Sequence, residues 1–347
     1  MGINLADGVN QIIIIVLIIL AIGLAFSIGA NDETLSALVG TGVLKFKIAL
    51  IIGGTAIGGG MILTSGGFVA KTVGSDILGE GLVYTTSMLL TVLISSILWL
   101  VIGSFGGIPL SSTHALIGSV VGVVITYSIF QGGVDPQTAF NWEKLGNVIL
   151  SWFISPISGL LITYVVFKII AKLYLSRLKG LNQIETSEKY FKWTLLVAVI
   201  FAEIWVGANS GEALGILYGL VANGSIGFDQ YYLYAIFCGI FAFLGIYIAA
   251  RYVIKNLASQ MTDSRPSEGL VIQTSSAIIL MIATLLSLPI SHSHVIVFCI
   301  IGINLAQKKE IDTKALGRMA LYWVLTFPIA AIMAGILYFG LISIGFI

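Results

Sequence analysis

The chain has 347 residues, of which 58% are hydrophobic, with only 17 Lys and Arg against 16 Asp and Glu, and a mean hydropathy of +1.05. Soluble domains carry about 25% charged residues, so 10% is too few to coat a globule of this size. A soluble enzyme, a nucleic-acid binder and a disordered chain are thereby excluded, and an all-α polytopic membrane protein in a lipid bilayer is the expected class.

The first ten residues hold no Lys or Arg, so the apolar stretch 8–31 reads as a retained span rather than a signal peptide. Further uncharged or apolar stretches run over 48–70, 81–134, 145–167, from Trp193 into Gly207-Ala208-Asn209, then 230–250, 269–307 and 319–347. A crossing helix needs about 20 apolar residues. The stretch 81–134 therefore holds two, turning at Gly106-Gly107-Ile108-Pro109, whereas 269–307, interrupted at Pro289, is slightly short for two. Half-helices or re-entrant hairpins are expected near Pro109 and Pro289, buried in protein where broken backbone does not face lipid. No stretch alternates with period two, which excludes a membrane barrel. Cys238 and Cys299 lie in apolar runs and read as small buried hydrophobes.

Basic residues gather in 171–192 (Lys172, Arg177, Lys179, Lys189, Lys192), at Lys45 and Lys47, in Arg251–Arg265 and in Lys308–Arg318. Placing them in the cytoplasm predicts about ten crossings of the cytoplasmic membrane, with both termini outside.

Two signatures occur twice. Gly29-Ala30-Asn31-Asp32 is echoed by Gly207-Ala208-Asn209-Ser210, and Pro109-Leu110-Ser111-Ser112-Thr113-His114 by Pro289-Ile290-Ser291-His292-Ser293-His294. Asn31 and Pro109 are 78 residues apart, Asn209 and Pro289 80. The repetition divides the chain into a first transmembrane repeat, 1–170, a cytoplasmic basic loop, 171–192, and a second repeat, 193–347. With about five crossings per half the copies enter from opposite sides: an inverted-repeat secondary transporter, its site at the midplane between the halves.

Each Gly-Ala-Asn ends an apolar span and is followed by a carboxylate. Glycine permits an unwound backbone with carbonyls free to face a cation, and Asn31, Asp32, Asn209, Ser210 and Glu212 supply the hard oxygens that suit Na+. The alternative is that Asn31 and Asp32 simply cap the next helix. In each Pro-x-Ser-x-(Ser/Thr)-His, proline favours a first helical turn and the hydroxyls follow at the helix N-terminus. There the free N–H groups and the positive end of the dipole attract an oxyanion without Lys or Arg. Ser111, Ser112, Thr113, Ser291 and Ser293, with Asn31 and Asn209, are the candidate anion ligands; ordinary capping and small-residue packing are the competing reading. His114, His294 and Glu203 are candidates for gating or proton linkage. His292 and His294 lack a third ligand for a metal, no nucleophile elbow supports a hydrolase, and no phosphate-loop motif supports ATP hydrolysis. No enzyme activity and no cofactor are expected. A channel with the same anion site but no fixed coupling ratio stays open.

At these residues the sequence resembles the inorganic phosphate transporter (PiT) family, which carries a Gly-Ala-Asn-Asp signature and a Pro-x-Ser-(Ser/Thr)-Thr-His hairpin in both halves. The resemblance implies inverted repeats, a homodimer, and uptake of inorganic phosphate driven by Na+, or in some members by H+ or as a metal–phosphate complex. This chain departs from the pattern at Ser210, where Asp is expected, at His292, where a hydroxyl is expected, and over Glu33-Thr34-Leu35-Ser36. Thr55 or Ala56 stands near the place of a family glutamate. Sulfate or another tetrahedral oxyanion, with H+ coupling, is the alternative. Monohydrogen phosphate can donate a hydrogen bond to a carboxylate such as Asp32 and sulfate cannot, which tilts the reading to phosphate.

Overall fold

The computed structural model describes residues 5–32, 34–105, 110–131, 134–250, 254, 265–311 and 313–345. Glu33, the turn at Gly106–Pro109 and most of the basic stretch Arg251–Arg265 lie outside the described residues.

The apolar runs fold as helices because only an intrasegment hydrogen-bond ladder satisfies the backbone in lipid. In order they are α1 (Leu5–Ala30), α2 (Ser36–Gly40), α3 (Phe46–Leu63) and α4 (Val69–Lys71), the last continued by a π turn (Thr72–Asp76). Next come α5 (Thr86–Phe105), α6 (Ser112–Phe130) and α7 (Trp142–Leu173). After a 3-10 turn (Leu175–Arg177) follow α8 (Leu181–Asn209), α9 (Gly211–Ala222) and α10 (Phe228–Ile248). The chain ends with α11 (Pro266–Leu285), α12 (His292–Gln307) and α13 (Thr313–Ser343).

Among the described residues there is no strand, only an isolated bridge between Leu78 and Phe140. Among the described residues eight helical stretches are long and apolar enough to cross a membrane, and two shorter apolar ones, Thr86–Ile102 and His292–Gln307, accompany them. Large side chains such as Ile12, Ile19, Leu98, Phe153, Leu161, Leu321 and Ile336 stand exposed. An apolar exterior around a bundle with buried polar groups is the arrangement a lipid solvent demands.

Two local expectations are corrected. The basic stretch 171–192 is mostly helix rather than loop: α7 runs to Leu173 and α8 starts at Leu181. Its charges decorate helix ends, and the Glu188 carboxylate caps α11, accepting from Ser267 N at 3.0 Å and Ser267 Oγ at 2.7 Å. The helix also stays wound through both motif glycines, α1 ending at Ala30 and α8 at Asn209.

Those glycines serve close packing instead. A Cβ on Gly29 would lie 2.0 Å from the Ala242 carbonyl oxygen on α10, and one on Gly207 2.0 Å from that of Ile57 on α3. No side chain fits, so the helices touch backbone to backbone. The main crossings between the two segments are reciprocal. α1 packs on α10 while α8 packs on α3, and α6 packs on α13 while α12 packs on α7. Each joins a helix before residue 173 to one after residue 181, so the two segments interlock.

Candidate functional site

Both proline–serine motifs open a helix, as expected. Ser111 takes an extended backbone at the N-cap of α6 and its Oγ accepts from His114 N at 3.3 Å, so its hydroxyl works as a cap. Ser291 holds the same place before α12 with no side-chain cap bond. Ser111, Thr113, Ser291 and His294 are buried. Among the described residues the side chains of Ser291 and Ser293 make no hydrogen bond.

The next two hydroxyls of α6 turn inward to the other segment. Ser112 Oγ and Thr113 Oγ1 each donate to Glu212 Oε1, both at 2.8 Å. Glu212 lies in the first turn of α9, directly after the break at Ser210. The N-terminus of a helix favours negative charge, and here two helix starts share one carboxylate. Ser210 Oγ is spent on its own helix, donating to Val206 O at 2.7 Å.

Asn209 is a latch. Its Nδ2 donates to Thr284 Oγ1 at 2.9 Å and Leu288 O at 3.0 Å, and its Oδ1 accepts from Ile290 N at 2.9 Å. The hairpin loop before α12 is held from two further sides: Thr72 Oγ1 donates to Ser287 O at 2.8 Å and Trp152 Nε1 to Pro289 O at 2.9 Å. This clamp supports a left-handed backbone at Ser287, φ 58°, which costs a non-glycine residue energy unless its surroundings hold it. Asn31 behaves differently. It is exposed and folds back on its own helix, Nδ2 donating to Ser27 O at 3.0 Å.

Asp32 is buried. Its Oδ1 accepts from Thr34 Oγ1 at 2.9 Å, and Gln273 Nε2 of α11 donates to Thr34 O at 3.2 Å. Asp32 Oδ2 and Glu212 Oε2 are buried with no hydrogen-bond partner among the described residues. His292 lies within electrostatic reach of Asp32. Glu203 is fully buried in α8.

Beneath the hairpins runs an aromatic stack. Trp152 and His114 have ring centroids 3.9 Å apart, His114 and His294 4.8 Å, and His294 and Trp323 4.0 Å. His114 Nδ1 faces Trp323 O at 3.3 Å.

Two buried acidic side chains and the hydroxyls of two helix starts inside an apolar bundle, with no Lys or Arg among the described partners of those carboxylates, suit a small oxyanion together with a cation. A family model described as the phosphate transporter family matches residues 28–334. The chain belongs to the phosphate transporter family. It is a transporter and an integral membrane protein, not an enzyme.

Relatives of this family member span nearly its full length. One, described as a phosphate permease of Pyrococcus horikoshii, is 26% identical over 96% of this chain and 98% of its own. Another, described as a low-affinity inorganic phosphate transporter of Bacillus subtilis, is 27% identical over 94% and 97%. The solved structure of "the sodium-dependent phosphate transporter" is similar with a TM-score of 0.82 at 22% identity, covering 96% of this chain and 99% of that one. At that identity the likeness concerns the fold.

Several residues of the candidate site belong to no motif in the sequence. Trp152, Trp323, Thr284 and Gln273 sit in ordinary apolar spans, Thr72 just past the end of one, and they share no local pattern. The one available signal is that Trp152 and Trp323 each precede an in-helix proline, Pro156 and Pro328, in the long helix after a hairpin.

Proposed function

We propose that this phosphate transporter is a cation-coupled symporter of inorganic phosphate across the cytoplasmic membrane, with Na+ as coupling ion. The observation that carries the reading is the seat of Glu212: the hydroxyls of Ser112 and Thr113, at the start of α6, hold a buried oxyanionic group with no basic residue near it in sequence. Such a place suits a phosphate oxygen equally well. The start of α12, with Ser291 and Ser293, faces the anion from the other segment.

The free oxygen of Asp32 supports phosphate over sulfate. It is a buried acceptor that a P–O–H group satisfies and sulfate does not,. It is equally a ligand for Na+. Among the described residues no three of His, Cys, Asp and Glu converge as a metal cluster. A Na+ site here is one carboxylate completed by amide, hydroxyl and backbone oxygens, which suits a hard monovalent cation. Cation and anion offset each other's charge in a low-dielectric site, so each favours binding of the other.

The reciprocal crossings support an inverted repeat. Exchanging α1 with α8, α3 with α10, α6 with α12 and α7 with α13 maps the contacts between the two segments, α1–α10, α3–α8, α6–α13 and α7–α12, onto one another. Alternating access is then motion of one interlocked set against the other. Basic segments in the cytoplasm put both termini outside, and a homodimer follows the family resemblance.

The test is uptake of radiolabelled phosphate into proteoliposomes with an imposed Na+ or H+ gradient and competing sulfate. Uptake against the phosphate gradient, driven by Na+ and resistant to sulfate, is expected. The double change Ser112→Ala with Thr113→Val lowers it about tenfold or more. Competition by sulfate without phosphate transport, or downhill flux alone, rejects the assignment.

A further inference from the structure

The α6 hydroxyls are already committed. A hydroxyl has one proton to give, and Ser112 and Thr113 both give theirs to Glu212 Oε1 at 2.8 Å. While that contact stands, neither can donate to an oxygen of the transported anion. Moving the anion beside the occupied pair does not help, because an ionised carboxylate would face it across a low-dielectric gap.

Glu212 itself is only half satisfied. It is 5% exposed, and its Oε2 is buried with no hydrogen-bond partner among the described residues. A buried carboxylate with one oxygen paired and the other bare is costly and is stabilised by a cation on the bare oxygen.

The geometry points to Glu212 as a tethered competitor of the transported anion. Its Oε1 stands where a substrate oxygen would sit. The anion gains the Ser112–Thr113 pair only when a cation at Oε2 neutralises the carboxylate and draws it away. Binding is then ordered, cation first, and the empty carrier is guarded against carrying the anion alone. This rests on reading Ser112 and Thr113 as anion ligands, and it gives Glu212 a role distinct from that of an ordinary cation ligand, since removing it frees the anion site.

The experiment is equilibrium binding of radiolabelled phosphate to the purified full chain in detergent, at one fixed pH, in Na+ and in choline of equal ionic strength. Wild type binds in Na+ and only weakly in choline. Glu212→Gln keeps an acceptor oxygen for the two hydroxyls but carries no charge, and Glu212→Ala clears the seat. Both bind phosphate in choline at least about tenfold more tightly than wild type does there, and Na+ stimulation shrinks. Folded, monodisperse variants that keep the wild-type Na+ dependence, or that lose phosphate binding in both salts, overturn the proposal. So does wild type that binds equally in the two salts. Wild type that binds no phosphate in either salt instead removes the phosphate reading itself.

Discussion

His114 of α6 and His294 of α12 meet edge to face, ring centroids 4.8 Å apart and planes at 79°. They occupy the same place in the two copies of the hairpin motif. Each is covered by a tryptophan, Trp152 over His114 and Trp323 over His294. The four rings therefore join α6, α7, α12 and α13 in one contact and fix how far apart the two hairpin starts can lie. Hydroxyls at those starts can act on one small anion only if that separation is held.

The stack sets a stability prediction. Trp152→Phe keeps a ring but removes the Nε1 donor to Pro289 O, 2.9 Å away. A buried carbonyl left without its donor costs about 1–3 kcal/mol, and truncation to Ala about 3–5 kcal/mol. Thermal unfolding in detergent should rank the melting midpoints wild type above Trp152→Phe above Trp152→Ala.

Asn209 offers a sharper contrast. Thr284 Oγ1 spends its own proton on Leu280 O at 2.8 Å, so toward Asn209 it only accepts, as does Leu288 O. An aspartate at 209 would direct an acceptor at two acceptors. Asn209→Asp should therefore impair phosphate uptake more than Asn209→Ala, which itself should lower it about tenfold. Proteoliposome uptake at matched protein content measures both; Asp performing as well as Asn would show that the latch is not needed.

Close helix contact predicts which glycines are indispensable. Gly207→Ala places a methyl 2.0 Å from the Ile57 carbonyl oxygen, whereas a Cβ on Gly59 meets nothing within 4 Å. Overpacking of a rigid crossing costs about 1–3 kcal/mol or more. Gly207→Ala should give a lower yield of folded protein and a lower melting midpoint, and Gly59→Ala should match wild type, as read by size-exclusion profile and thermal melt.

Asp32→Asn removes charge but keeps an oxygen that can accept from Thr34 Oγ1. The Na+ stimulation of phosphate uptake should fall about tenfold or more, while the protein elutes and melts close to wild type. Unchanged Na+ dependence would reject Asp32 as the cation's ligand.

Composition and spacing alone determined that this chain is a helical membrane protein with two polar motifs in duplicate, because a lipid solvent leaves few ways to satisfy a backbone and makes a carboxylate or a repeated polar cluster within an apolar run conspicuous. The proline–serine motifs also announced their helices, since proline and an N-capping serine act within a single turn. Distance was beyond such local rules. That Ser112 bonds Glu212, 100 residues away, was decided by α6 meeting α9, that Asn209 holds the loop before α12 by α8 packing on α11, and that the motif glycines seal crossings instead of unwinding by the packing of α1 on α10 and α3 on α8. A glycine reads the same in sequence whether it loosens a backbone or admits another; only a neighbouring helix in van der Waals contact makes the difference.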